Sequence, residues 1–329
     1  MAKANEASIV MPVLHPLKSM EALQTLCEQY RYTKTGEYLK LEIIVVLDTI
    51  EPNEDYIKWL KQHHITLLQN SSNMGLAGCY NRGVIAAKHD NIIFIHEDCV
   101  PKNKNLIRTM VEDMKIHPIV NGMTLLPDYI IRCYDFWNKM VLYRHAGRFC
   151  QAMGKCTGIR KEVFDKIGYF DDKTFRTAGE DMDFSQRCAN AKPPIPIVAI
   201  SNPNENYVEH KHKAGQGASF MSVLRKEWQL GEAHGAWKQK HNLAHLSRFD
   251  FEFRAGILLL TILGVMSIGW LALLALAPFV VIPIAKAITN FAKDGWVPGL
   301  LLYPLIGPII MIVQTCAALK GYFSGRQTF

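Results

Sequence analysis

Residues 91–101 read Asn91-Ile92-Ile93-Phe94-Ile95-His96-Glu97-Asp98-Cys99-Val100-Pro101, an apolar run that stops abruptly in an imidazole and two carboxyl groups. Ile92, Ile93, Phe94 and Ile95 predict a short buried strand. A pair of carboxylates at the carboxyl end of such a strand is costly unless a cation meets it there. In open α/β sheets that end is also where ligands bind. Oxygen ligands of this kind suit a hard ion such as Mg²⁺ or Mn²⁺, which takes phosphate oxygens as further ligands. Read alone, the stretch serves equally as a capped helix start, with Asp98 holding the first turn of a helix over 102–117. The flanking chain has to decide between the two.

Outward from that stretch, apolar runs alternate with helical spacing. Residues 9–13 form a first strand, stopped by Pro12, His15 and Pro16, and 20–30 have helical periodicity. Residues 41–47, Leu-Glu-Ile-Ile-Val-Val-Leu, are a second strand, nearly continuous in the way of a parallel strand covered on both faces. That strand also ends in an acid, Asp48. A short helix over 56–63 and a third strand over 65–68 follow. Next comes Asn73-Met-Gly75-Leu-Ala-Gly78-Cys-Tyr-Asn81-Arg-Gly83, which leads into a helix of small residues up to Lys88. Its glycines allow close approach to an anion near a helix N-terminus, or tight packing of the helix on the sheet. Beyond 101 the expectation is a helix over 103–117, a strand over 120–125 and an irregular, aromatic- and Arg-rich segment over 128–150. Val163, Phe164 and Ile167 share a helix face that Gly168 closes. Gly179-Glu180-Asp181-Met-Asp183 then puts three acids in four residues at a helix start. The macrodipole favours acids there, but three so close repel, and a raised pKa in one suits a general base. The pattern is α/β, with a mostly parallel central sheet flanked by helices.

With 329 residues the chain has room for one or two domains. Lys plus Arg number 37 against 30 Asp plus Glu, a formal +7, which suits an anionic membrane surface or ligand. The sequence contains no basic run or nucleic-acid motif, so no nucleic-acid partner is expected. The eight cysteines form no CxxC pair or framework spacing, as in a reducing compartment.

Five short motifs stand in order: Asp48 at a strand end, Asn73-x-Gly75 before a helix, His96-Glu97-Asp98, the Gly168-Tyr-Phe-Asp171 turn, and Glu180-Asp181-x-Asp183 with the later Arg187. Together they resemble an inverting family 2 glycosyltransferase of the GT-A nucleotide-diphospho-sugar fold, over roughly residues 7–215. The resemblance implies that Pro12, Val13 and Asp48 hold base and ribose, with Asn73, Gly75, Asn81, His96 and Glu97 also facing the nucleotide sugar. His96-Glu97-Asp98 stands where the family has Asp-x-Asp. Asp98 matches the last acid, the direct ligand of Mn²⁺ or Mg²⁺, and His96 replaces the first. Glu180-Asp181 matches the family's Glu-Asp pair, so Asp181 would deprotonate the acceptor hydroxyl for single displacement with inversion. The metal would stabilise the departing diphosphate. Arg187 falls where the family often has an Arg, as a structural or charge partner. Tyr207-Val-Glu-His210-Lys-His212 resembles the late histidine that closes the metal site, and either His210 or His212 fits.

Beyond residue 216 the composition changes. Residues 216–254 read as amphipathic helices, with Phe220, Val223, Leu224, Trp228 and Leu230 interleaved with Arg225, Lys226, Lys238 and Lys240. That mixture suits either a membrane interface or a packing face. Residues 256–285 and 297–319 are uncharged, and about 20 apolar residues span a bilayer. They predict a hairpin of two transmembrane helices, giving domains at 1–215, 216–254 and 255–329. Arg248, Arg254, Lys320 and Arg326 against Lys286 and Lys293 place the catalytic part on the cytoplasmic side. A membrane-held transferase implies a nucleotide-diphospho-sugar donor and a lipid-linked acceptor, polyprenyl phosphate or a lipid-linked glycan, with the bilayer as partner. The competing readings are a nucleotidyltransferase, whose Gly-rich triphosphate signature 13–20 lacks, and a non-catalytic membrane scaffold that kept the fold.

Overall fold

A computed structural model describes residues 5–49, 54–142, 149–150, 153–211, 219–242, 251–268, 276–292 and 296–328. The chain divides into two compact units, Met1–Ile130 with Gly147–Lys213, and Ile131–Ala146 with Ala214–Phe329.

In the first unit, strands and helices alternate as the hydrophobic runs require. They are β1 (Glu6–Val13), α1 (Pro16–Cys27), β2 (Lys40–Leu47), α2 (Glu54–Gln62), β3 (Thr66–Gln69), α3 (Gly75–Ala86), β4 (Asn91–Ile95), β5 (Cys99–Pro101), α4 (Leu106–Met114), β6 (Ile119–Asn121) and β7 (Met123–Leu125). After α5 (Asp128–Arg132) and α6 (Phe136–Leu142) come β8 (Phe149–Cys150), β9 (Cys156–Arg160), α7 (Lys161–Ile167), α8 (Glu180–Asn190), β10 (Ile197–Ala199) and β11 (Tyr207–His210). The main sheet runs β10-β6-β9-β4-β1-β2-β3, parallel throughout except that β9 opposes both neighbours. A smaller sheet runs β5-β11-β7-β8.

Burial explains the near-continuous apolar strands. Ile9, Met11 and Val13 of β1 pack with Leu23 and Leu26 of α1 and with Met110 of α4. The alternate residue Val10 packs on the other face with Tyr80, Val84, Phe164 and Phe184. Period-two alternation thus sends both sets into a core, and each such side chain contributes about 1.5–3 kcal/mol. Gly83 of α3 lies so close to the sheet that a Cβ there would stand 2.2 Å from Cγ1 of Val10, so this glycine serves helix-on-sheet packing.

Two elements differ from the sequence reading. The strand expected over 120–125 is two strands, β6 in the main sheet and β7 in the small one. The break is Gly122, whose N–H donates to the Cys156 carbonyl at 2.8 Å and whose missing side chain leaves room for the Cys156 thiol. Apolar continuity does not register a change of sheet. The irregular segment over 128–150 contains α5 and α6 instead, and Asp135 caps α6 by accepting the Asn138 N–H at 2.9 Å.

The second unit holds α6, α9 (Phe220–Lys240), α10 (Phe251–Ile268), α11 (Ala277–Phe291) and α12 (Val297–Ser324). Ser219 and Ser222 form a reciprocal capping box at the start of α9. The face of α9 carrying Gly231, Glu232, Gly235 and Ala236 is buried, with Gly231 and Gly235 packed on Ala317 and Ala318 of α12. The expected pair of transmembrane helices is corrected here. Among the described residues only α12 is long and apolar enough to cross a membrane, and the apolar segments Arg254–Leu263 and Ala277–Phe291 are too short. Within the uncharged run 256–285 the described residues give the end of α10 and the start of α11. Pro278 occupies the first turn of α11, and that helix continues past Lys286 to Phe291, beyond the end of the uncharged run.

Candidate active site

The acidic end of β4 is closed by β11. Antiparallel pairing of β5 and β11 sets His210 opposite Cys99, next in sequence to Asp98. The His210 Nε2 lies 3.2 Å from Oδ2 of Asp98. Asp98, Cys99 and His210 bring one ligand atom each within 4.8 Å of one another. A carboxylate oxygen and an imidazole nitrogen suit a divalent ion of the Mn²⁺ type, so Asp98 and His210 fit such a group. Cys99 fits less well, because burial pushes its thiol well above its ordinary pKa. His212, the other histidine considered, lies outside the described residues.

His96 points away from that pair. Its Nε2 is 2.6 Å from the Tyr80 hydroxyl, which itself donates to the Gly154 carbonyl at 2.8 Å. Since the hydroxyl proton is committed to Gly154, the imidazole carries its proton on Nε2 and donates. Burial pulls its pKa down to about 4, so it is neutral near pH 7. Glu97 turns to β1. Its Oε2 accepts the backbone N–H groups of Leu14 (2.8 Å) and His15 (2.9 Å), which fixes the loop into α1. Burial still raises its carboxyl above the ordinary value, against those two hydrogen bonds.

Pro12 and Val13 are the buried last residues of β1, aligned with Val46 and Leu47. Asp48 follows β2 and caps α3. Its Oδ1 accepts from Asn70 Nδ2 (2.7 Å) and the Met74 N–H (2.8 Å), and its Oδ2 from the Gly75 N–H (3.0 Å). Gly75 has φ +73°, and a Cβ there would stand 2.3 Å from the Arg176 carbonyl oxygen, so only glycine fits. Arg176 in turn donates to the Asn73 carbonyl at 2.9 Å. Asn81 exchanges two hydrogen bonds with the backbone of Phe170, donating at 2.8 Å and accepting at 3.0 Å. Asp48, Asn73, Gly75 and Asn81 therefore tie α3 to the loops around it.

Glu180 and Asp181 open α8 after Gly179, which has φ +93°. Glu180 is buried. Asp181 Oδ1 accepts the Met182 N–H at 2.8 Å, and burial raises its pKa although Lys155 nearby acts in the opposite direction. Asp183, fully buried, accepts from Arg187 Nε at 2.9 Å. The rest of that guanidinium donates to the carbonyls of Ile167, Gly168 and Tyr169, so Arg187 is the structural partner expected. Through burial first, and then the charges of Glu180 and Asp181, the Tyr80 phenol is held well above its ordinary pKa, so these acids lie within electrostatic reach of the Tyr80–His96 pair. Lys155 escaped the sequence reading. It stands just before β9 with no motif around it, and only the β4–β9 pairing places it beside His96, whose N–H donates to its carbonyl at 3.2 Å.

Residues 8–168 match the family described as Glycosyl transferase family 2, just under half of the chain. That match spans β1 to α7, so the main-sheet unit resembles a glycosyl transferase family 2 domain. Among solved structures it is similar to the mannosyltransferase PcManGT from Pyrobaculum calidifontis in complex with GDP-Man and Mn²⁺. That likeness has 14% identity and a TM-score of 0.52, over 97% of this chain and 87% of that one. It is also similar to residues 1–349 of TarS from S. aureus, at 12% identity and a TM-score of 0.45, over 98% and 90%. No curated protein matches the chain.

Proposed function

We propose that the chain transfers a sugar, with inversion, from a nucleotide-diphospho-sugar to a lipid-linked acceptor at a membrane. The observation that carries this reading is the Asp98–His210 pair at the carboxyl end of β4, in a unit that also presents Asp181 at the start of α8. Asp98 and His210 would hold Mn²⁺ or Mg²⁺, which when bound supplies Lewis-acid stabilisation to the diphosphate. Asp181 takes the proton of the attacking acceptor hydroxyl on its carboxylate, and its raised pKa makes it a stronger base than an ordinary aspartate. PcManGT holds GDP-Man and Mn²⁺, and by that likeness a nucleotide-sugar donor is carried over to this chain. Pro12, Val13, Asp48, Asn73, Gly75 and Asn81 shape the nucleotide pocket mainly through the backbone they hold in place. The exposed apolar side chains of α12, Leu301 and Leu305 among them, favour a membrane and hence a lipid-linked acceptor. Because nucleotide sugars arise in the cytoplasm, the active site is assigned to that face.

Calorimetry on the detergent-purified chain with UDP, GDP, dTDP and CMP, with and without Mn²⁺, tests the donor. One nucleotide should bind in a Mn²⁺-dependent manner, and Asp98→Ala should remove that dependence. Affinity independent of Mn²⁺ in the unaltered protein would overturn Asp98 as a ligand.

A further inference from the structure

Lys155 holds a charge that the fold does not use. Its backbone continues β9 beyond the Ile95–Cys156 pair and binds the His96 N–H, so the residue sits at the carboxyl end of β4. Gly154 before it has φ +93° and is pinned by Tyr80, while its own N–H donates to Thr157 Oγ1 at 2.9 Å. The segment is therefore rigid where the side chain leaves it. The Lys155 side chain is partly exposed, and among the described residues its ammonium makes no hydrogen bond or ion pair. Its charge acts on His96, Cys99 and Asp181, so these three groups lie within its electrostatic reach. His96, standing where an acid is expected, brings no negative charge. A cation added and an acid lost make this end of the sheet more positive than a site built on two aspartates. Such a site suits an anion carrying more than one negative charge.

We infer that Lys155 is a donor-binding residue whose ammonium meets the diphosphate of the nucleotide sugar and shares with the divalent ion the neutralisation of the departing group. This rests on the transferase reading above. In that arrangement the Lys155 ammonium forms charge-assisted hydrogen bonds to phosphate oxygens, and no covalent bond to it is made or broken. A consequence is that nucleoside diphosphates retain measurable affinity when the metal is withdrawn.

The test is calorimetry with UDP, GDP, dTDP and inorganic pyrophosphate, in EDTA and in Mn²⁺, on the full chain and on Lys155→Ala and Lys155→Arg. In EDTA, Lys155→Ala should weaken nucleoside diphosphate and pyrophosphate binding by about tenfold or more, the worth of one charge-assisted hydrogen bond. Lys155→Arg should restore most of it, and the corresponding nucleoside monophosphate should lose much less. An unchanged melting temperature excludes a folding defect. Equal diphosphate affinity in Lys155→Ala and the unaltered chain overturns the inference and leaves the transferase reading standing. No binding of any nucleoside diphosphate to the unaltered chain, in either condition, overturns both.

Discussion

Asp181 carries the chemistry proposed here, and its setting makes two measurable demands. Burial raises its pKa above the ordinary 3.8. A base must be deprotonated to act, so kcat/KM should rise with pH and level off above that raised pKa, with the acid limb displaced upward from the usual carboxylate range. Asp181→Asn keeps the shape and loses the base, and transfer should fall by roughly 10²–10⁴-fold while donor binding survives. A variant that still transfers at the original rate would sink the assignment. Its neighbour Arg187 predicts a different loss. Arg187→Ala leaves the fully buried Asp183 without the guanidinium and frees three carbonyls, which should cost about 3 kcal/mol in thermal or urea unfolding. Arg187→Lys should recover little of this, because one ammonium cannot reproduce the planar fork.

Helix α9 meets α12 through small residues. A Cβ at Gly321 would stand 2.0 Å from the Glu232 carbonyl oxygen, and one at Gly235 would stand 1.9 Å from that of Ala318. Both contacts are to backbone, so the helices must separate to admit a side chain. Gly321→Val should therefore lower the melting temperature of the second unit, and a melt indistinguishable from that of the unaltered chain would contradict the packing. Inside the interface Glu232, fully buried, is ion-paired with Lys320 at 2.6 Å and accepts from Thr328 Oγ1 at 2.8 Å. A helix that reads as amphipathic in sequence thus spends one face on α12. Its spacing of apolar and basic residues suited a membrane interface equally well, since periodicity marks a buried face without naming what covers it.

For the chain as a whole, α12 is the element that argues for a bilayer. Leu301 and Leu305 are 67% and 68% exposed, on a helix of 28 residues. Replacing both with lysine should cost up to about 2.5–3.5 kcal/mol each if that face lies at the membrane centre. The chain should then move from the membrane fraction to the soluble fraction in a flotation assay. Retention in the membrane fraction would assign the anchorage elsewhere. The charge-free stretches at 256–285 and 297–319 look alike in composition, yet only the second is one continuous helix of spanning length among the described residues.

The strands at 9–13, 41–47, 65–68 and 92–95 were legible because parallel strands buried on both faces must be almost wholly apolar, and their acids at Asp48 and Asp98 were legible because charge interrupts such a run. The parallel core and the order of its motifs followed from the amino-acid sequence alone. What that sequence left open was which particular groups meet across distance. His210 meets Asp98 only because β11 pairs with β5, Lys155 reaches His96 only because β9 runs against β4, and Gly122 sends one apolar run into two sheets. Asp48 and Glu97, expected at the nucleotide sugar, also hold backbone N–H groups of nearby loops, which the sequence did not show. Local composition specifies which residues must be buried or charged, because those costs are paid residue by residue. Which groups then share a hydrogen bond or a field is set by strand pairing and loop closure, which exist only in the folded chain.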